Sequence, residues 1–231
     1  MSNHPPLDAH NASIQQMSNE FQKMVDEFFS LQCRYQAAIR EVQTKLEILD
    51  DEFQMRHKRN PIHHMQSRMK TIQSMMEKLR RKNYAVSMTS AVENLSDIAG
   101  IRVVCSYIQD IYTVADLLAS QDDIRVVKVR DYIKQPKENG YRSLHLVVEV
   151  PVFLAEGRVM VPVEVQIRTI AMDFWASLEH SLRYKAQGQV PEDISAELVQ
   201  TAQDIAAIDL RMQNLHDRVD ALSAAAEEKH A

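Results

Sequence analysis

Two carboxylates stand where a fold could put them to chemical use, Asp97 and Glu164. Asp97 lies in Ser96-Asp97-Ile98-Ala99-Gly100-Ile101-Arg102, directly ahead of a β-branched run and so at the mouth of an expected strand. A lone aspartate there is more often a turn or cap residue, and it is Glu164 that changes the weighing. In Val163-Glu164-Val165-Gln166-Ile167-Arg168 apolar and polar residues alternate strictly. On a strand that puts three aliphatic side chains on one face and Glu164, Gln166 and Arg168 on the other. Such a polar row is costly to bury without partners. Mg²⁺, which binds through one or two carboxylates together with substrate phosphates, is a fitting partner for Asp97 and Glu164.

A second constellation is cationic. Nine Lys or Arg residues and a single acid, Glu77, fall between Arg56 and Lys82. If Met69 to Lys82 is helical, a turn of 100° per residue gathers Ile72, Met75, Met76 and Leu79 on a core side and sets Lys70, Ser74, Lys78 and Arg81 opposite. That face suits a polyphosphate, because charge-assisted hydrogen bonds to phosphate are roughly twice as strong as neutral ones. Charge alone fits an RNA-contacting strip or a plain solvated surface equally well. The third constellation runs from Asp131 to His145. Pro136 to Gly140 reads as a loop, Lys134 and Lys137 supply two ammonium groups, and Tyr141, Ser143 and His145 share one face of the strand that follows. An aromatic plate, two cations and an imidazole make a base-and-phosphate pocket, in which stacking a base contributes ~1–3 kcal/mol.

These residues need elements to hold them. From Phe21 to Phe53 apolar residues recur helically, with Phe21, Phe28, Tyr35, Val42 and Leu49 seven apart. His57 to His64 reads as a polar connection. Strands are expected over Ile101–Ile108, Ile124–Ile133, Tyr141–Val150 and Arg158–Arg168. Asp110 to Ser120 suits a crossover helix and hence a βαβ unit, and Pro151 to Gly157 a hairpin connection. Helix resumes at Thr169, runs to about Lys185 and stops at Gly188. After Pro191 a heptad pattern places Leu198, Ile205, Met212 and Val219 at one position and Ile208, Leu215 and Leu222 at the other. The expectation is an α/β (α+β) chain with a mixed sheet of about four to five strands, flanked by helices and bounded by long N- and C-terminal helices. Two heptad-patterned helices exceed what one small core can cover, which points to oligomerisation.

Composition narrows the chemistry. The 231 residues are 45% hydrophobic and 26% charged, with net charge -5, ordinary values for a globular chain. There are only four glycines, Gly100, Gly140, Gly157 and Gly188, and no two lie closer than 17 positions. Neither a Walker loop nor a G-x-G-x-x-G turn can be written with them. Phosphates would have to be held by side chains. Cys33 and Cys105 fall in an expected helix and strand and read as free thiols, and the N-terminus lacks the basic and apolar regions of a secretory signal, so a cytoplasmic protein is expected.

The motifs together resemble a known family. Ser67-Arg68-Met69-Lys70 with Ser74 and Lys78, Asp97-Ile98-Ala99-Gly100-Ile101-Arg102, Asn139-Gly140-Tyr141-Arg142-Ser143-Leu144-His145, Val163 to Thr169 and Phe174-Trp175-Ala176-Ser177-Leu178-Glu179-His180 occur in order, as in the small alarmone synthetases, single-domain relatives of RelA/SpoT, and most nearly the RelQ type. The resemblance implies a nucleotidyltransferase-like synthetase fold. It implies transfer of pyrophosphate from ATP to the 3′-hydroxyl of GDP or GTP, yielding AMP with ppGpp or pppGpp. By the same carry-over Arg68 stacks on adenine, and Lys70, Ser74, Lys78 and Arg81 bind ATP. Asp97 holds Mg²⁺, while Glu164 completes the metal site and takes the proton from the 3′-hydroxyl. Tyr141 stacks on guanine, and Lys134, Lys137, Asn139, His145 and Gln166 bind the acceptor. Arg102 and Arg168 stand beside these as further candidate phosphate ligands.

The resemblance also implies a homotetramer, a pppGpp allosteric site, single-stranded RNA as a ligand and no membrane partner. With only about twenty residues ahead of the first helix, synthesis without hydrolysis is expected, and the His216-Asp217 pair reads as surface. The expected division is a disordered tail over 1–19, a synthetase domain over 20–190 and an oligomerisation helix over 191–231. The competing reading is a catalytically silent nucleotide- or RNA-binding module on the same fold. Two carboxylates facing one polyphosphate speak against it, since they would repel the ligand unless a metal intervened.

Overall fold

The computed structural model describes residues 7–186 and 190–228. In chain order the elements are α1 (Leu7–His57), β1 (Ile62–Met69), α2 (Ile72–Arg81), α3 (Met88–Asn94), β2 (Ala99–Cys105), α4 (Ile108–Ala119), β3 (Arg125–Asp131), β4 (Leu144–Leu154), β5 (Gly157–Thr169), α5 (Ile170–Lys185) and α6 (Glu192–Glu228). The strands form one sheet in the order β1-β2-β5-β4-β3. β2 and β5 run parallel and the other neighbours antiparallel. The alternation of β5 does what the sequence predicts: Val163, Val165 and Ile167 are buried, in one core with Tyr35, Ile39, Val42 and Leu46 of α1 and Ile111, Val114 and Leu118 of α4. Each such side chain contributes about 1.5–3 kcal/mol of burial. With α1 and α4 closing that face, the other is left for Glu164, Gln166 and their neighbours.

Several elements differ from expectation. The first helix begins at Leu7 rather than near Phe21, so residues 7–19 continue α1 instead of forming a tail; residues 1–6 lie outside the described residues. The expected polar connection over His57 to His64 gives way at Ile62 to β1, an edge strand on which only Ile62 is buried. An edge strand with one open face needs few apolar residues, which is why it reads as a loop. The following helix therefore starts at Ile72 behind a Thr71 cap rather than at Met69, and Lys70 belongs to the connection. α3 carries no expectation from the sequence. The βαβ unit is opened out: β2 and β3 point the same way across α4, but β5 and β4 lie between them.

The hairpin forms but is tighter than expected: Pro151 to Leu154 continue β4, with Pro151 paired to Met160 and Leu154 to Gly157, so that Ala155 and Glu156 alone make the connection. Gly157 has φ +123°, a conformation that excludes ordinary side chains. Thr169 caps α5 by accepting from the Met172 amide, while the expected stop at Gly188 lies outside the described residues.

The heptad helix packs in an unexpected sense. Its inward side is Ala202, Asp209 and Gln213, all buried, whereas Ile208, Met212, Leu215, Val219 and Leu222 are exposed and Leu198 and Ile205 half-buried. Polar contacts seat it: Thr169 donates to Asp209 Oδ2 at 2.6 Å, the Gln109 amide donates to Gln213 Oε1 at 2.9 Å, and the Trp175 indole donates to the Leu198 carbonyl at 3.1 Å. His216 is not a surface residue, because its ring stacks on Tyr107 with centroids 4.1 Å apart. No helix among the described residues is long and apolar enough to cross a membrane.

Candidate functional site

Register assembles the site. Gln66, Arg102, Gln166 and His145 are neighbours across β1, β2, β5 and β4, and one step along the sheet lie Arg68, Gly100 and Glu164. With no side chain at Gly100, the floor between Arg68 and Glu164 stays open. The resulting cavity of about 240 Å³ is lined by Gln66, Arg68, Asp97, Gly100, Arg102 and Glu164, among others. Beside it, and sharing Arg68, Arg102 and Gln166, lies a second recess of about 470 Å³ that adds Lys137, Tyr141, His145 and residues of α5.

Asp97 is clamped. Its Oδ2 accepts from Lys70 Nζ at 2.9 Å and from Lys78 Nζ at 2.6 Å, while Oδ1 is buried without a partner. Burial pushes its pKa up, but the two ammonium groups outweigh that and hold the carboxyl below the ordinary aspartate value.

Glu164 is held in a ring of side chains. Gln166 Nε2 donates to Oε2 at 2.8 Å, and His145 Nδ1 lies 3.3 Å from Oε1. Here too burial acts upward and is overcome, by the His145 and Gln166 hydrogen bonds, so the group stays below the ordinary glutamate value. An ionised carboxylate only accepts, which assigns a proton to His145 Nδ1, while Nε2 lies 2.9 Å from Tyr141 Oη. Arg168 closes the ring by donating to Gln166 Oε1 at 3.1 Å and to Tyr141 Oη at 3.5 Å. It is 2% exposed, burial lowers its pKa, and Asp173 of α5 faces it at 3.4 Å.

The structure brings together Arg68, Lys70, Lys78, Asp97, Glu164, Lys137, Tyr141, His145 and Gln166, from seven different segments. Lys137 Nζ sits 4.7 Å from the ring centroids of both Tyr132 and Tyr141. Four expected residues stand elsewhere. Ser74 is exposed, its hydroxyl accepting from Thr71 Oγ1 and its amide donating to the same oxygen, and Arg81 is exposed in the last turn of α2. Lys134 is 74% exposed, pairs with Asp131 and lies over the Tyr112 ring of α4. Asn139 does not line the recess; its amide donates to Glu179 and accepts from the Tyr141 backbone.

Sequence reasoning passed over Gln66, Asp173 and Glu179. Gln66 was hidden by the unrecognised strand. The α5 residues carried a readable signal, since Asp173, Ala176, Ser177 and His180 recur at the spacing of one helix face.

The donor set fits a hard divalent cation. Asp97 Oδ1 is an orphaned buried oxygen, and Glu164 lines the same cavity. No cluster of three or more His, Cys, Asp or Glu exists among the described residues, so such an ion would complete its shell with phosphate oxygens and water.

The fold and cleft define a class: a protein that handles nucleotide phosphates on the open face of a mixed sheet, with side chains in place of a glycine cradle. Residues 67–189 match the region found in RelA / SpoT proteins, and the chain belongs to that family. It is 45% identical over 186 residues to the GTP pyrophosphokinase YwaC of Bacillus subtilis, covering 80% of this chain and 89% of that one. It is 38% identical over 191 residues to the GTP pyrophosphokinase YjbM of the same organism, covering 83% and 89%. The crystal structure of small alarmone synthetase 1 from Bacillus subtilis bound to its product pppGpp superimposes with a TM-score of 0.74 at 38% identity, covering 80% of this chain and 94% of that one.

Proposed function

We propose that this protein is a small alarmone synthetase, transferring pyrophosphate from ATP to the 3′-hydroxyl of GDP or GTP to give AMP and ppGpp or pppGpp. The observation that carries the reading is the pair Asp97 and Glu164, both ionised and both lining a cavity whose other charged residues are Arg68 and Arg102. A silent binding module would gain nothing from two carboxylates there.

The two cavities support a division of labour. Lys70 and Lys78 take the ATP phosphates, and Arg68, exposed at the end of β1, is placed for the adenine. As phosphate oxygens draw these lysines away, lone pairs of Asp97 Oδ2 become free beside the orphaned Oδ1. Mg²⁺ bound by Asp97 and Glu164 would supply neutralisation of the polyphosphate charge.

The recess at Tyr141 takes the acceptor base, with Lys137, His145 and Gln166 around it. Glu164 accepts the proton of the 3′-hydroxyl as the bond from that oxygen to the β-phosphorus forms; the bridge between the α- and β-phosphorus breaks and AMP leaves. A base of this kind contributes roughly 10²–10⁴ in rate. Ser74, Arg81 and Lys134 take no part in this assignment. The exposed stripe on α6 supports assembly, and a homotetramer is the assembly we assign; the free thiols Cys33 and Cys105 support a cytoplasmic setting.

Purified protein given ATP, GDP and Mg²⁺ is expected to release AMP and ppGpp in equal amounts, with pppGpp replacing ppGpp when GTP is the acceptor. Absence of AMP across a series of divalent metals would sink the reading.

A further inference from the structure

The recess wall formed by α5 contains a carboxylate that the reaction does not use. Glu179 is 8% exposed and lines the recess beside Tyr141 and Lys137. Its Oε1 accepts from Asn139 Nδ2 at 3.0 Å and from Arg183 Nε one turn along the helix. A buried carboxylate persists only when donors compensate its lost hydration, and these are the two it has.

The Asn139 bond matters because of what it joins. Residues 136–140 are otherwise closed on themselves: Lys137 N–H donates to the Tyr141 carbonyl at 3.1 Å, Gly140 N–H to the Lys137 carbonyl at 2.8 Å, and Tyr141 N–H to Asn139 Oδ1 at 3.2 Å. Among the described residues, Glu179 makes the hydrogen bond that ties this turn to another element. Because the Asn139 Nδ2 end is held by a carboxylate, which can only accept, its Oδ1 end is fixed toward the Tyr141 amide. The Asn139 side chain therefore adds a directed polar tie to a turn whose Gly140 also packs on Ala202 of α6, and that tie reaches the plate on which Lys137 rests.

We propose that Glu179 is a positioning residue for the acceptor nucleotide: by holding the Asn139 amide it fixes the 136–141 turn, and with it the Tyr141 ring and the Lys137 ammonium. It acts through Asn139 and does not itself touch the base. This rests on the assignment of the Tyr141 recess to the acceptor. An i,i+4 ion pair with Arg183 that merely stiffened α5 would leave acceptor binding unchanged, and that is the difference to measure.

The experiment is steady-state kinetics of full-length Glu179→Ala and Glu179→Gln, with GDP and inosine diphosphate as acceptors. Wild type must first form AMP and ppGpp, and its failure to do so would count against the synthetase reading. Given an active wild type, Glu179→Ala is expected to raise KM for GDP about tenfold, the scale of one lost charge-assisted hydrogen bond. KM for ATP should stay within about twofold and the GDP to inosine diphosphate preference should be unchanged. Glu179→Gln keeps a carbonyl for Asn139 and is expected to recover most of the loss. An unchanged KM for GDP, or equal rises for GDP and ATP, overturns the proposal. A changed preference between the two acceptors also overturns it, because it places Glu179 on the base itself. If Glu179→Ala loses its fold by circular dichroism, Glu179→Met fills the volume without an acceptor oxygen and is read the same way. If that variant unfolds too, Glu179 is a brace of the fold and the proposal fails.

Discussion

Glu164 is ionised at neutral pH because His145 and Gln166 occupy both its oxygens with donors. In the role we propose for it, those donors would also keep it a weak base, so that the proton would move to it late, as the attacking oxygen becomes acidic. Glu164→Gln leaves the strand alternation intact and removes only the charge. The expected result is a fall in kcat of roughly 10²–10⁴ with nucleotide Kd values within a few-fold of wild type, measured by quenched product analysis and calorimetry. Loss of ATP binding instead would make Glu164 chiefly a metal ligand.

Much of this scale was legible in the sequence. Strict alternation put Glu164, Gln166 and Arg168 on one face, and helical spacing brought Lys78 to the side where Lys70 also arrives, although Lys70 comes from the connection ahead of the helix. What could not be read is which polar residue turns toward a neighbour: Ser74 to Thr71, Lys134 to Asp131, and Asn139 to Glu179, 40 positions away. The Asn139 choice is a contact between elements that no local pattern encodes, whereas Ser74 and Lys134 settle on partners three positions back, Thr71 as the cap of α2 and Asp131 as an i,i+3 ion pair.

At the scale of elements, long amphipathic helices and the interior strands announce themselves because burial on one face leaves a period in the sequence. β1 leaves almost none, being an edge strand, and the separation of β2 from β3 by two other strands is set by pairing rather than by any residue of α4. The seating of α6 is likewise hidden, since it rests on polar residues. Asp209 is the instructive one. Burial raises its pKa against the opposing effects of the Thr169 hydrogen bond and the Arg142 charge, so the folded state holds the proton more tightly than the unfolded chain. The stability this gives is complete below the unfolded value near pH 4 and is lost as pH rises through the folded value. Asp209→Asn has no proton to lose and still accepts from Thr169. Its Tm at pH 7 is expected to exceed that of wild type, with a flatter profile between pH 4 and 7. A lower Tm at pH 7 would show that the ionised form is the one α6 requires.

At the scale of the whole molecule, the outward stripe of α6 leaves Ile208, Leu215 and Val219 at 52%, 45% and 59% exposure. Apolar residues in such a row call for a cover, and a second copy of the chain supplies one with the same heptad spacing. Replacing these three by Gln should reduce the mass seen by light scattering without unfolding the monomer, because none of them contributes to the inward contacts. An unchanged mass would locate the interface elsewhere.

The inner side of the same helix meets the 136–140 turn, which we propose holds the acceptor, and there Gly140, at φ +87°, leaves so little room that an added Cβ would lie 2.6 Å from the Cβ of Ala202. α6 is thus a single rod touched on one side by that turn and open on the other to a neighbour. Thermodynamic reciprocity applies to such an arrangement: whatever factor a neighbouring copy contributes to acceptor affinity, a bound acceptor returns in full to the affinity between copies. Subunit dissociation measured with and without GDP would therefore report on the same quantity as GDP binding measured across protein concentration.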